Sequence, residues 1–145
     1  MLNPNLEWTL LDKLGEGTYG QVYRAKYINS NATVAVKIVR IQNDDTSSDF
    51  ENELNILKNI SKQQENLPNF IGIYGDCDSF KVPRIWLIME ICSLGPVGRL
   101  LKNIEKKTHI TKLEKEKLIA FALQSTLKAL KYLHESGIMH RGRFR

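Results

Sequence analysis

The sequence has no long apolar run and no leader-like N-terminus. Its longest apolar runs, Ile85–Met89 and Leu118–Leu123, are far shorter than the roughly 20 residues of a membrane-spanning helix. Residues 1–5 contain neither the basic n-region nor the apolar h-region of a signal peptide. We therefore expect no membrane span and a cytoplasmic protein.

Cysteine is nearly absent, since only Cys77 and Cys92 occur. Two cysteines form neither a disulfide scaffold nor a metal site, so no metal is expected from them. Each lies at the end of an apolar segment, which predicts reduced, partly buried thiols.

The charge is only mildly unbalanced, with 21 Lys and Arg against 16 Asp and Glu, a net charge of +5. Nucleic-acid binding would need basic residues clustered with stacking aromatics, and we expect no nucleic-acid partner. The 42% hydrophobic and 26% charged content is typical of a soluble globular protein. The length of 145 residues fits one domain of ordinary size.

Hydrophobic periodicity divides the chain into strands followed by helices. Alternation with period two, or short apolar runs, predicts strands. Helical spacing and capping residues predict helices. The predicted strands are Trp8–Leu14, Gln21–Ile28, Thr33–Ile41, Phe70–Cys77 and Arg84–Ile91, and the predicted helices are about 49–62, 97–107 and 113–136. Because the strands do not alternate strictly with helices, the fold class is α+β with an antiparallel sheet.

A glycine-rich motif, Gly15-Glu16-Gly17-Thr18-Tyr19-Gly20, joins the first two predicted strands. In dinucleotide-binding folds this motif opens a helix, and an acid follows about 20 residues later. Here a strand follows, and Arg40 occupies the position of that acid. The motif therefore favours a glycine-rich hairpin whose backbone N–H groups face nucleotide phosphates.

A lysine in the middle of an apolar strand is the second signal. In Val34-Ala35-Val36-Lys37 the ammonium of Lys37 is costly to bury without an anionic partner. Ala35 lies two residues away and so shares its face, where a small side chain leaves room for a flat base. Glu53, or its rival Glu51, on the predicted 49–62 helix could pair with Lys37.

Together with the apolar strand and flexible segment of 85–95, these motifs resemble the N-terminal part of a eukaryotic protein kinase domain. In their detailed residue sequence, the segments 14–22, 68–75 and 85–92 are similar to the germinal-centre-kinase branch of the sterile-twenty-like Ser/Thr kinases. That branch includes the kinase heads of class-III myosins. The resemblance implies an N-lobe and hinge over about 8–92 and the first two C-lobe helices over about 93–145. The N-lobe would contain a five-stranded antiparallel sheet and one helix.

The resemblance also implies an ATP site and, for the family reaction, Mg²⁺. Glu53 would orient Lys37, Met89 would be the gatekeeper, and the Glu90 carbonyl and Cys92 N–H would hold the purine edge. The ATP-binding residues implied are Leu14, Gly15, Glu16, Gly17, Thr18, Tyr19, Gly20, Val22, Ala35, Lys37, Glu90 and Cys92.

The chain departs from the family pattern after His140-Arg141, where Gly142 occupies the position of the catalytic Asp. No catalytic-loop Asn or Asp-Phe-Gly follows in these 145 residues, so the family's metal ligands are missing. We expect a truncated product or incomplete gene model that is catalytically inactive as this chain. The alternative is a non-enzymatic interaction or scaffold protein, in which a protein partner covers the apolar helix of about 113–136.

Overall fold

The computed structural model describes residues 3–17, 20–41, 54, 58, 64–107 and 111–138. These residues divide into two compact units, 1–63 with 68–91, and 64–67 with 92–145. The first unit contains a short 3-10 helix (Pro4–Leu6) and the strands β1 (Trp8–Gly17), β2 (Gly20–Tyr27), β3 (Thr33–Arg40), β4 (Phe70–Cys77) and β5 (Pro83–Met89). The second contains the helices α1 (Val97–Lys107) and α2 (Lys112–Glu135).

The five strands form one antiparallel sheet in the order β1-β2-β3-β5-β4. Short connections make the first three strands a meander, because antiparallel neighbours can be joined by tight turns. The Tyr27 N–H donates to the Ala32 carbonyl at 3.0 Å and closes one of these turns. The predicted α+β class and five-stranded antiparallel sheet are confirmed. β1 continues three residues beyond its predicted end, and β5 ends two residues earlier than predicted.

The alternation of side chains along β3 gives the sheet two apolar faces. Val34, Val36 and Ile38 belong to a cluster on the first face, with Trp8, Ala25, Trp86 and Ile88. Val39 belongs to a cluster on the second face, with Ile85 and Leu87. Since successive side chains of a strand point to opposite faces, Ala35 and Lys37 share the second face with Val39.

The predicted helix of about 49–62 lies mostly outside the described residues. Leu54, which is described, is helical and packs against the second-face cluster.

The prediction of partly buried thiols is wrong, because Cys77 and Cys92 are both exposed. Cys77 is the last residue of an edge strand, and Cys92 follows β5 in the connection to α1. Cys77 still pairs with Pro83 of β5, but both cysteines lie where a strand has ended or is ending. Their apolar neighbours in the sequence suggested burial, but positions at the end of a strand or just after one remain open to solvent.

A reciprocal cap fixes the start of α2. Thr111 Oγ1 accepts a hydrogen bond from the Glu114 N–H at 3.2 Å, and Glu114 Oε2 accepts one from the Thr111 N–H at 2.9 Å. These two bonds satisfy N–H groups that the first turn of a helix leaves unpaired. The hydrogen bonds from the Thr111 backbone and side chain lower the pKa of Glu114 from its ordinary value of 4.5.

In the unmodified chain, α2 should become less stable at acid pH, because protonation of Glu114 weakens its cap. We expect the Glu114→Gln variant not to show this acid-dependent loss of stability. Because the folded-state pKa is lowered, the carboxylate stabilises the fold above its unfolded-state pKa, and this contribution is lost as the pH falls through the folded-state value. Circular dichroism of the thermal transition, followed from neutral to acid pH, measures the effect. The control is Glu116→Gln, which removes an acid of the same helix that pairs with Lys112 and makes no cap. Equal pH profiles for the two variants would contradict the prediction.

Candidate functional site

The glycine motif forms the end of the β1–β2 hairpin. Gly15 pairs with Val22, and Gly17 pairs with Gly20, so strand pairing continues through the motif. The sequence placed Gly15, Gly17 and Gly20 between the first two predicted strands, whereas the structure places them within the paired ends of β1 and β2. Thr18 and Tyr19 lie outside the described residues.

Several predicted ATP-binding residues meet on the second face of the sheet. Val22 of β2 pairs with Lys37 of β3, and Lys37 pairs with Leu87 of β5. Ala35 pairs with Met89 in the next row. Side chains of directly opposed residues lie on the same face, with their Cβ atoms about 5 Å apart. The register therefore places Val22, Lys37, Ala35 and the predicted gatekeeper together, adjacent to the glycine hairpin.

The predicted ion pair between Lys37 and Glu53 stays a prediction, since Glu53 and its rival Glu51 lie outside the described residues. Leu54, the residue after Glu53, packs on the face that carries Lys37.

Glu90, directly after β5, is fixed by Asn69. Its backbone N–H donates to the Asn69 carbonyl at 2.8 Å, and its Oε2 accepts from the Asn69 N–H at 3.2 Å and from Nδ2 at 3.1 Å. Sequence reasoning did not predict this clamp, because the two residues are 21 positions apart and no local pattern connects them. The clamp holds the backbone at the end of β5 in place.

Leu14 and Cys92 complete the set of predicted binding residues. Leu14 is exposed next to the motif. Cys92 belongs to the second unit, is exposed, and its carbonyl accepts a hydrogen bond from the Gly95 N–H at 3.0 Å. The predicted purine contacts of Glu90 and Cys92 stay predictions.

The glycines of the motif are not equivalent. A Cβ atom on Gly15 would meet nothing within 4 Å, whereas one on Gly20 would lie 2.2 Å from the backbone oxygen of Ile38. The sequence predicted a ligand role for all three glycines, in a hairpin that faces nucleotide phosphates. At Gly20 the close approach of β3 is a sufficient reason by itself.

The sequence profile of the Protein kinase domain family matches residues 8–142. Similar proteins include serine/threonine-protein kinase pakF of Dictyostelium discoideum, 32% identical over 94% of this chain, and human Myosin-IIIa, 34% identical over 96%. Serine/threonine-protein kinase mig-15 of Caenorhabditis elegans is 32% identical over 91%. The chain belongs to the protein kinase domain family, and its relatives are of the sterile-twenty-like type that the sequence predicted.

The chain spans only a small part of these relatives: 11% of pakF, 8% of Myosin-IIIa and 12% of mig-15. None of the described helices combines the length and the hydropathy that a membrane-spanning segment needs. In the same described ranges, no three His, Cys, Asp or Glu side chains are grouped so that they could hold a metal ion.

The helix α2 carries large apolar side chains in solvent. Ala129 and Leu133 are buried, but Leu113, Phe121, Leu123 and Leu127 are each about 60% exposed or more. An apolar helix surface of this kind is the feature from which the sequence predicted a protein partner. That partner stays a prediction.

Proposed function

We propose that this chain is the ATP-binding portion of a protein Ser/Thr kinase domain. The family match and the Ser/Thr kinase relatives support the class. The observation that carries the proposal is the row formed by Val22 and Lys37, with Ala35 in the next row, on the face adjacent to the glycine hairpin.

The residues of this face have separable roles in the proposal. Val22 and Ala35 offer an apolar surface to the adenine, and the small side chain of Ala35 lets the base approach the strand. The Lys37 ammonium binds the phosphates as a point charge, and the hairpin N–H groups approach them from the other side. ATP supplies the phosphoryl group of the family reaction. Mg²⁺ accompanies ATP in that reaction, but we assign none of its ligands to the described residues.

We further propose that the 145-residue polypeptide binds ATP without transferring phosphate. Gly142 occupies the position of the family's catalytic Asp, and glycine has no side chain that could accept the substrate hydroxyl proton. A positioned general base contributes about 10²–10⁴-fold to such reactions. Phosphate transfer to a substrate protein by the purified 145-residue chain would contradict this part of the proposal.

We expect Lys37→Met to weaken ATP binding strongly while leaving the fold intact. The substitution keeps an unbranched side chain of similar length on β3 but removes the charge that faces the triphosphate. A charge-assisted contact of this kind is worth about 1.5–3 kcal/mol, which is roughly a tenfold to hundredfold change in Kd. Isothermal titration calorimetry with ATP measures the change.

The matched control is Lys26→Met, which removes one lysine from β2, opposite Thr33 in the same sheet. Its ATP affinity should equal that of the unmodified chain. Similar affinities for the Lys37→Met and Lys26→Met variants would remove the basis of the proposed site, as would the absence of ATP binding by the unmodified chain.

A further inference from the structure

A chain of hydrogen bonds links four side chains across the glycine hairpin. Lys13 Nζ donates to Glu16 Oε2 at 2.6 Å, and Gln21 Nε2 donates to Glu16 Oε1 at 3.3 Å. The Tyr23 hydroxyl donates to Gln21 Oε1 at 2.7 Å. We call Lys13, Glu16, Gln21 and Tyr23 the hairpin staple.

An irregularity in β1 makes this arrangement possible. Lys13 pairs with Tyr23 and Gly15 with Val22, so β1 has one more residue than β2 over this interval. Such a bulge changes which side chains share a face. Lys13 and Glu16, three residues apart, would point to opposite faces of a regular strand. The bulge places both on the face of Tyr23 and Gln21.

The hairpin staple lies on the face opposite the proposed nucleotide site. Tyr23 packs against the first-face cluster, which includes Ala25 and Trp86. Val22, its neighbour in β2, pairs with Lys37 on the second face. The hairpin staple therefore does not face a nucleotide on the second face, and Tyr23 joins it to the core of the sheet.

Glu16 is ionised under ordinary conditions. Hydrogen bonds from Lys13 and Gln21 hold the pKa of its carboxyl below the ordinary value of 4.5. Both carboxylate oxygens are thus occupied by donors on the two strands that meet at the glycine motif.

We propose that the hairpin staple holds the glycine hairpin in its strand-paired conformation, which makes Glu16 and Gln21 positioning residues for a triphosphate bound on the opposite face. The inference rests on the proposed ATP site. A hairpin that is ordered before the nucleotide binds loses less conformational entropy on binding, so the nucleotide binds more tightly. Phosphate affinity is affected most, since the hairpin N–H groups face the phosphates.

The test compares Glu16→Ala and Gln21→Ala with Asp12→Ala in the 145-residue chain. Asp12 is the matched control because it also forms an exposed cross-strand pair in this hairpin, with Arg24 at 3.2 Å, before the glycine motif. The first measurement is the Kd of ATP and of adenosine by calorimetry. The second is hydrogen exchange of the Gly15, Gly17 and Gly20 amides without nucleotide.

For Glu16→Ala and Gln21→Ala we expect an ATP Kd that rises about threefold to fivefold, the scale of one exposed polar contact. The adenosine Kd should change less, and the three glycine amides should exchange faster. Asp12→Ala should change none of these. Exchanging the two charges, with Lys13→Glu and Glu16→Lys in one chain, should restore slow exchange and ATP affinity.

Two results would overturn the inference: unchanged glycine exchange in Glu16→Ala, or an equal effect of Asp12→Ala. If the unmodified chain does not bind ATP, the proposed function is wrong. The exchange measurement still decides whether the hairpin staple orders the hairpin.

Discussion

Replacing Gly20 by alanine should destabilise the sheet, although alanine adds only one methyl group. The new Cβ would lie 2.2 Å from the Ile38 oxygen, 3.1 Å from the Ile38 carbonyl carbon and 3.4 Å from the Val39 Cα. All three are backbone atoms of β3, so no flexible side chain can move away. Overpacking of this kind costs about 1–3 kcal/mol, and we expect the upper part of that range. Urea denaturation measures the loss of unfolding free energy.

Gly15→Ala is the matched control, since a Cβ there meets nothing within 4 Å. We expect unchanged stability for Gly15→Ala and, if the proposed site is right, weaker ATP binding because the methyl group obstructs the approach of a phosphate. Gly20→Ala should lower stability whether or not ATP is present. Equal urea midpoints for the two variants would contradict the distinction between a glycine required for packing and one required for the ligand.

The local sequence predicted much of the fold, because its main signals are periodic. The β-branched, apolar run of Thr33–Ile41 identified β3, and the two-residue spacing of Ala35 and Lys37 placed them on one face. The helical spacing of 113–136 identified α2 to within one residue at each end. The glycine motif and Lys37 were recognised as separate signals, and the strand register brought them together. These predictions depend on neighbours within a few residues, where spacing determines which side chains share a face.

The features that the sequence did not predict depend on pairing between distant residues. The β1 bulge that unites Lys13 with Glu16 follows from the register between strands, which composition does not reveal. The clamp of Asn69 on Glu90 joins residues on opposite sides of a hairpin. The glycine at position 20 looked like a ligand contact, since its role in packing appears only when β3 lies beside it. The sequence therefore identified residues of the predicted site, but it did not reveal the register between distant strands. This unknown register limited the prediction of the site.

The β4–β5 hairpin contains a nearly buried ion pair, and Asp76→Ala should cause the largest loss of stability among the variants considered. Asp76 pairs with Arg84 across the strands, and the side chain of Asp76 is only 9% exposed. Arg84 Nε donates to Asp76 Oδ1 at 2.9 Å, its Nη2 donates to Oδ2, and Trp86 Nε1 donates to Oδ1 at 3.0 Å. The Asp76 carboxylate thus accepts hydrogen bonds both from a guanidinium and from the indole N–H of a core tryptophan.

Removing this carboxylate leaves the Arg84 charge without its partner and a buried Trp86 N–H without an acceptor. Loss of one partner of a buried pair costs about 3–5 kcal/mol, and we expect about 2–4 kcal/mol here because Arg84 still reaches solvent. Urea denaturation should show a smaller loss for Asp76→Asn, whose amide oxygen can still accept from the indole. Asp12→Ala, which breaks an exposed pair, should cost less than about 1 kcal/mol. If Asp76→Ala were no more destabilising than Asp12→Ala, the Asp76 carboxylate would not be the group that joins β4 and β5 to the core. The hairpin would then depend on its backbone pairing and its apolar contacts.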